Sequence, residues 1–143
     1  MRWQTVLGLA QVLMLAACAS ASNSGNPGAP SVKLNQSFGL KVGASTSVDG
    51  EGIQIGFDAV ISDSRCPRGA QCIVAGDATI RVWLGQSSQT RETRDLKTAP
   101  ADAAQAVINQ YRVTLNSLVP EPTINGTPRT SDYVATLVVA RLP

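Results

Sequence analysis

From Ile53 onward the chain alternates: Ile53, Ile55, Phe57, Ala59 and Ile61 fall on one side, with Gln54, Asp58 and Ser62 among the residues on the other. A repeat of two is the spacing of a half-buried β-strand, because successive side chains leave opposite faces of the pleat. The same repeat returns in Ala78, Ile80, Val82 and Leu84 against Thr79, Arg81 and Trp83, and in Tyr111, Val113 and Leu115 against Arg112, Thr114 and Asn116. Helical spacing does not recur in this way. A chain so patterned must bury one face of each strand against a second sheet.

Punctuation between these runs supports short antiparallel connections. Asp49-Gly50-Glu51-Gly52 supplies the positive φ angles of a tight hairpin turn, so Phe38 to Val48 reads as the strand leading into it. Thr90 to Lys97 is polar and charged and fits an edge strand, where charge discourages pairing with another chain. The Ala-rich stretch Pro100 to Ala106 reads as a helical turn too short to be stable alone. Pro120-Glu121-Pro122 ends the strand begun at Tyr111, Asn125-Gly126-Thr127-Pro128 reads as a turn, and Tyr133 to Leu142 is the last strand. The expected fold is an all-β, antiparallel, immunoglobulin-like sandwich of about six to eight strands, with a small closed β-barrel as the alternative.

The beginning of the chain has a different character. Arg2 precedes the nearly uncharged run Val6 to Ala17, which has the n-region and h-region of a secretory signal. The run is too short to span a bilayer of roughly 30 Å as a permanent helix. Leu15-Ala16-Ala17-Cys18 is similar to the bacterial lipobox, in which the cysteine thiol receives a diacylglycerol and becomes the new N-terminus. Residues 1–17 are thus expected to be a lipoprotein signal peptide, with Cys18 the lipidated, palmitate-bearing residue. Acyl chains contribute about 0.8 kcal/mol per buried CH₂, and two or more hold a protein durably on a membrane. Ala19 follows Cys18, where an Asp would resemble an inner-membrane retention signal, so an outer membrane facing the periplasm is expected if the host is Gram-negative. Residues 18–30 hold only Ala, Ser, Asn, Gly and Pro after the cysteine, which predicts a flexible tether, and residues 31–143 are left for one β domain.

With Cys18 assigned to the lipid, Cys66 and Cys72 remain as an even pair in an exported chain, and a disulfide between them is expected. Closing so short a loop contributes about 2 kcal/mol in the chain-entropy account. The cysteines lie in Asp63-Ser64-Arg65-Cys66-Pro67-Arg68-Gly69-Ala70-Gln71-Cys72-Ile73-Val74-Ala75-Gly76-Asp77-Ala78. This segment resembles the Asp-Ser-Arg-Cys-Pro, Cys and Ala-Gly-x-Ala signature of a set of small bacterial lipoproteins. Phe38, the strand before Asp63, and Tyr111-Arg112-Val113-Thr114-Leu115 with Pro120 extend the resemblance over most of the mature domain. Val74 stands where many of those relatives carry an aromatic residue. The resemblance implies export, a disulfide and a β domain, and it implies no activity.

Composition narrows the function classes. The chain contains no histidine, which removes Ser-His and Cys-His nucleophile arrangements, and two thiols alone do not make a tetrahedral metal site. No metal and no cofactor are expected. A formal charge of +2, with interleaved signs and few aromatics, is not a footprint for nucleic acid. Asp49, Glu51, Asp58, Asp63 and Asp77 offer carboxylates for a glycoside-hydrolysing pair, and those around Asp49 and Glu51 a weak calcium site, although Asp49 and Glu51 in a turn and Asp58 on a polar strand face favour solvated charge. The expected role is therefore a non-catalytic binding or structural module, attached to a membrane by its lipid and meeting an envelope protein or peptidoglycan. An inhibitor of a protease or lysozyme-like enzyme, acting through the disulfide loop, is the alternative. Arg65, Arg68 and Gln71 are the candidate contact residues of that loop, with Arg65 also placed to pair with Asp63 or Asp77. Trp83 belongs either to a contact surface or to a second buried face.

Overall fold

The computed structural model describes residues 30–86 and 91–143. The signal segment, Cys18 and the tether up to residue 29 lie outside the described residues. The strands are β1 (Ser31–Val32), β2 (Ser37–Lys41), β3 (Ser45–Val48), β4 (Ile53–Asp63), β5 (Ala78–Gly85), β6 (Arg91–Lys97), β7 (Gln105–Ile108), β8 (Tyr111–Val119) and β9 (Val134–Arg141). They form two facing sheets, one in the order β1-β3-β4-β5-β6 and the other β2-β9-β8-β7. Neither closes into a barrel, so the fold is the expected β-sandwich.

Three departures from the expected pattern raise the strand number to nine. Phe38 to Val48 is not one strand: Gly43, at φ 80°, lets the chain leave one sheet and join the other. At this corner Val42 N–H donates to the Tyr133 carbonyl and Gly43 N–H to that of Phe57, so both sheets hold the turn. Ser31 and Val32 add a two-residue strand beside β3, in the one parallel pairing of named strands among the described residues. The Ala-rich stretch turns only as far as Ala104, and Gln105 and Ala106 already belong to β7. Arg91–Lys97 is the edge strand expected, with Arg81 and Asp95 paired across to β5.

The core lies between the sheets and draws Ile53, Ile55, Phe57, Ile80, Val82 and Leu84 from one and Val113, Leu115, Leu137 and Val139 from the other. Each such side chain contributes roughly 1.5–3 kcal/mol by leaving water. Trp83, on the outer face of β5, is covered locally: it packs on Gly56, where any Cβ would overlap the indole, and the Arg91 guanidinium lies 4.1 Å from its ring centroid. It is 6% exposed and lies outside the main core cluster.

The alternation that begins at Ile53 breaks twice. Phe57 pairs with Val82 and Ala59 with Arg81; then Val60 pairs with Ile80 and Ser62 with Thr79, leaving Asp58 and Ile61 as extra residues in two bulges. An unbroken ladder would set Ile61 opposite Ala78. The bulges instead turn Val60 inward, leave Ile61 47% exposed, and bring Asp63 opposite Ala78, which is fully buried. A carboxylate therefore stands at the inner edge of the sandwich.

Candidate contact surface at the disulfide end

Asp63 is tolerable there because the next turn of chain supplies its partners. The Arg65 guanidinium donates from Nε to Asp63 Oδ1 at 2.8 Å and from Nη2 to Oδ2 at 2.7 Å, and the Tyr133 hydroxyl donates to Oδ2 at 2.8 Å. The remaining Arg65 donors reach the carbonyls of Leu118, at 2.6 Å, and Pro120, at 2.8 Å. This clamp ties β4 in one sheet to β8 and to Tyr133, the residue before β9, in the other. The side chains of Arg65 and Asp63 are only 13% and 5% exposed. Burial alone pushes the Asp63 carboxyl upward, yet the hydrogen bonds from Arg65 and Tyr133 and the arginine's charge outweigh it and hold the group below the usual carboxylate range. Of the two partners proposed for Arg65, the structure selects Asp63; Asp77 pairs with Lys97.

Beyond the clamp the β4–β5 hairpin continues. Ser64 N–H and Cys66 N–H donate to the carbonyls of Asp77 and Ala75, each at 2.8 Å. The strands can lie this close because Gly76 sits at φ 66° with no side chain, where a Cβ would overlap the Ser64 carbonyl. Cys66 and Cys72 are bonded, with 5.9 Å between their Cα atoms. The closed loop is braced from outside as well: Arg68 N–H donates to the Pro122 carbonyl at 2.8 Å, and Thr123 and Gly126 bond each other around a turn at Ile124 and Asn125, two residues earlier than the expected Asn125 to Pro128.

Of the candidate contact residues, Arg68 and Gln71 face solvent and Arg65 does not. The Arg68 side chain is 78% exposed and makes a 3.2 Å ion pair with Glu121, beside a cleft of about 380 Å³ lined by both residues with Val119, Pro120 and Thr123. The apolar part of this surface is not among the contact residues expected from the sequence. Ile73 is fully exposed, and Val74 and Ile124 are 77% and 67% exposed. Ile73 and Val74 stand outside every strand, directly after the disulfide-closed ring Cys66–Cys72, and an apolar pair so placed is the available signal.

A second cleft, of about 400 Å³, lies at the opposite end and is lined by Ile53, Leu84, Glu92 and Tyr111 among others. The Tyr111 hydroxyl there donates to Glu51 Oε2 at 2.7 Å, with Arg141 3.4 Å from the same oxygen. Glu51, Asp63 and Asp77 are thus each held in an ion pair within the fold. Comparison of the chain with protein-family models, curated proteins and solved structures finds no match.

Proposed function

We propose that this is an exported bacterial lipoprotein, anchored through a lipid on Cys18, whose β domain works by contact and not by turnover. The observation that carries the reading is the disulfide-closed loop. Braced by the Pro122 carbonyl and ending the sandwich, it presents Arg68 and Gln71 to solvent, with Ile73 and Val74 exposed on the segment just after Cys72. A loop already fixed in shape loses little freedom on meeting a partner, so more of its contact energy appears as affinity. Three of the five carboxylates considered for catalysis, Glu51, Asp63 and Asp77, are each held in an ion pair within the fold. The lipid would place the domain on the outer membrane, facing the periplasm, in a host with two membranes.

Arg68 and Gln71 are the residues to test. Arg68→Ala should leave the melting temperature nearly unchanged, because an exposed ion pair contributes only about 0–1 kcal/mol. The double variant Arg68→Ala with Gln71→Ala should lower retention of the chain on envelope fragments, prepared from cells lacking it, by about tenfold, equivalent to roughly 1.4 kcal/mol of contact energy. Unchanged retention would return the loop to a purely structural turn.

A further inference from the structure

We infer that the disulfide end of the sandwich is a bilayer-contact face, on which Ile73, Val74 and Ile124 enter the interfacial layer of the membrane that holds Cys18. The inference rests on the lipid-anchor reading and names the partner of the same surface.

The exposed large apolar residues are unevenly distributed. Among the described residues all but Val107 (Ile61, Ile73, Val74, Val119 and Ile124) lie toward the end of the molecule marked by Asp63 and the disulfide. Large exposed apolar side chains gathered at one end of a small domain, with Ile124 beside Gly69 of the disulfide loop, mark a protein or membrane contact. The direction of the chain at its entry favours the membrane. β1 runs parallel to β3, from Ser31 beside Ser47 to Val32 beside Val48. β3 in turn runs away from Gly56, and from Gly56 β4 leads to Asp63. The chain therefore enters the fold at Pro30 travelling away from the disulfide end, and Thr46 Oγ1 fixes that entry by donating to the Pro30 carbonyl.

Length agrees with direction. Residues 19–30 reach about 40 Å at most, and the strand from Gly56 to Asp63 covers roughly 20–25 Å. The tether suffices for the domain to stand on its disulfide end, and a lipid at Cys18 would hold that end near the surface. Charge does not oppose this. Asp63, Glu121 and Asp132 are each matched by an arginine, and Arg68 and Arg129, with side chains 78% and 83% exposed, are free to exchange their carboxylate partners for headgroup phosphates.

A tryptophan at the tip reads the contact, since the indole settles at the bilayer interface. The lipidated whole chain carrying Val74→Trp, and separately Val107→Trp, is reconstituted in vesicles of equimolar phosphatidylethanolamine and phosphatidylglycerol, with or without brominated acyl chains. Bromine should lower the added emission of the Val74→Trp chain by about half, and leave the Val107→Trp chain like the parent. Emission of Val74→Trp no more quenched than the parent would overturn the proposal, as would retention on purified peptidoglycan without quenching. Flotation of Cys18→Ser tests the anchor separately. A chain that floats only through Cys18 but leaves Val74→Trp unquenched keeps the anchor and refutes the face. If Cys18→Ser floats as well as its parent, the anchor falls, and quenching of Val74→Trp still decides the face.

Discussion

Asp63→Ala should destabilise the domain by about 3–5 kcal/mol, the usual cost of removing one partner from a buried ion pair. The deletion leaves the Arg65 guanidinium, 13% exposed, without its carboxylate and takes the acceptor from the Tyr133 hydroxyl. Arg65 cannot turn to water without also releasing the Leu118 and Pro120 carbonyls, so both sheets feel the loss. Tyr133→Phe removes one hydrogen bond and should cost only about 1 kcal/mol. Denaturant midpoints rank the two variants. The clamp also sets a pH dependence. Because the carboxyl titrates lower in the folded chain than the unfolded value of about 3.9, its stabilisation is complete above that value and lost as pH falls through the folded one. Asp63→Asn, which keeps the shape without the charge, should flatten this acid limb; equal acid sensitivity in the two chains would show that the clamp does not carry it. Asp95 and Asp132 are also lowered, each by an arginine, but both pairs are solvent-facing and contribute little.

Gly76→Ala should cost about 3 kcal/mol, the next largest effect. Left-handed backbone strains an alanine by about 1–2 kcal/mol, and the new Cβ would overlap a backbone oxygen that cannot swing aside. Relief requires parting Ser64 from Asp77, with loss of the hydrogen bonds between them. Gly50→Ala is the internal comparison: its φ of 74° imposes similar strain, but open space surrounds the added Cβ. Gly50→Ala should therefore lose only about 1–2 kcal/mol. Thermal unfolding of both chains separates overlap from strain, and equal losses would mean that the hairpin opens at Gly76 without penalty.

Much of the sandwich was legible because alternation is a local property. Ala78 to Leu84 reads as a strand from its residues alone, and the charged run to Lys97 announces an edge. Parity over a longer distance was not legible. Nothing in Asp58 or Ile61 marks a bulge; the two extra residues are set by where Asp63 finds Arg65 and Tyr133, the latter seventy positions away. The sheet change at Gly43 was hidden for the same reason, since either sheet would accept Phe38 to Val48. At the candidate surface, the cysteine pair and the exposure of Arg68 and Gln71 follow from spacing and polarity. The pairing of Arg65 with a nearby aspartate is equally legible, but not its hold on the carbonyls of Leu118 and Pro120, more than fifty residues distant. Ile73 and Val74 would normally be assigned to a core, and only the folded chain leaves them in water.

Maturation at Cys18 is the central claim, and the intact mass of protein purified from the membranes of an expressing bacterium tests it directly. The chain should begin at Cys18, carry the added mass of a diacylglycerol or a larger acyl adduct, and take up alkylating reagent at Cys66 and Cys72 only after reduction. Cys18→Ser should lack the lipid mass while keeping the disulfide. A chain that retains residues 1–17, or a Cys18 that is alkylated without reduction and bears no lipid, would contradict it.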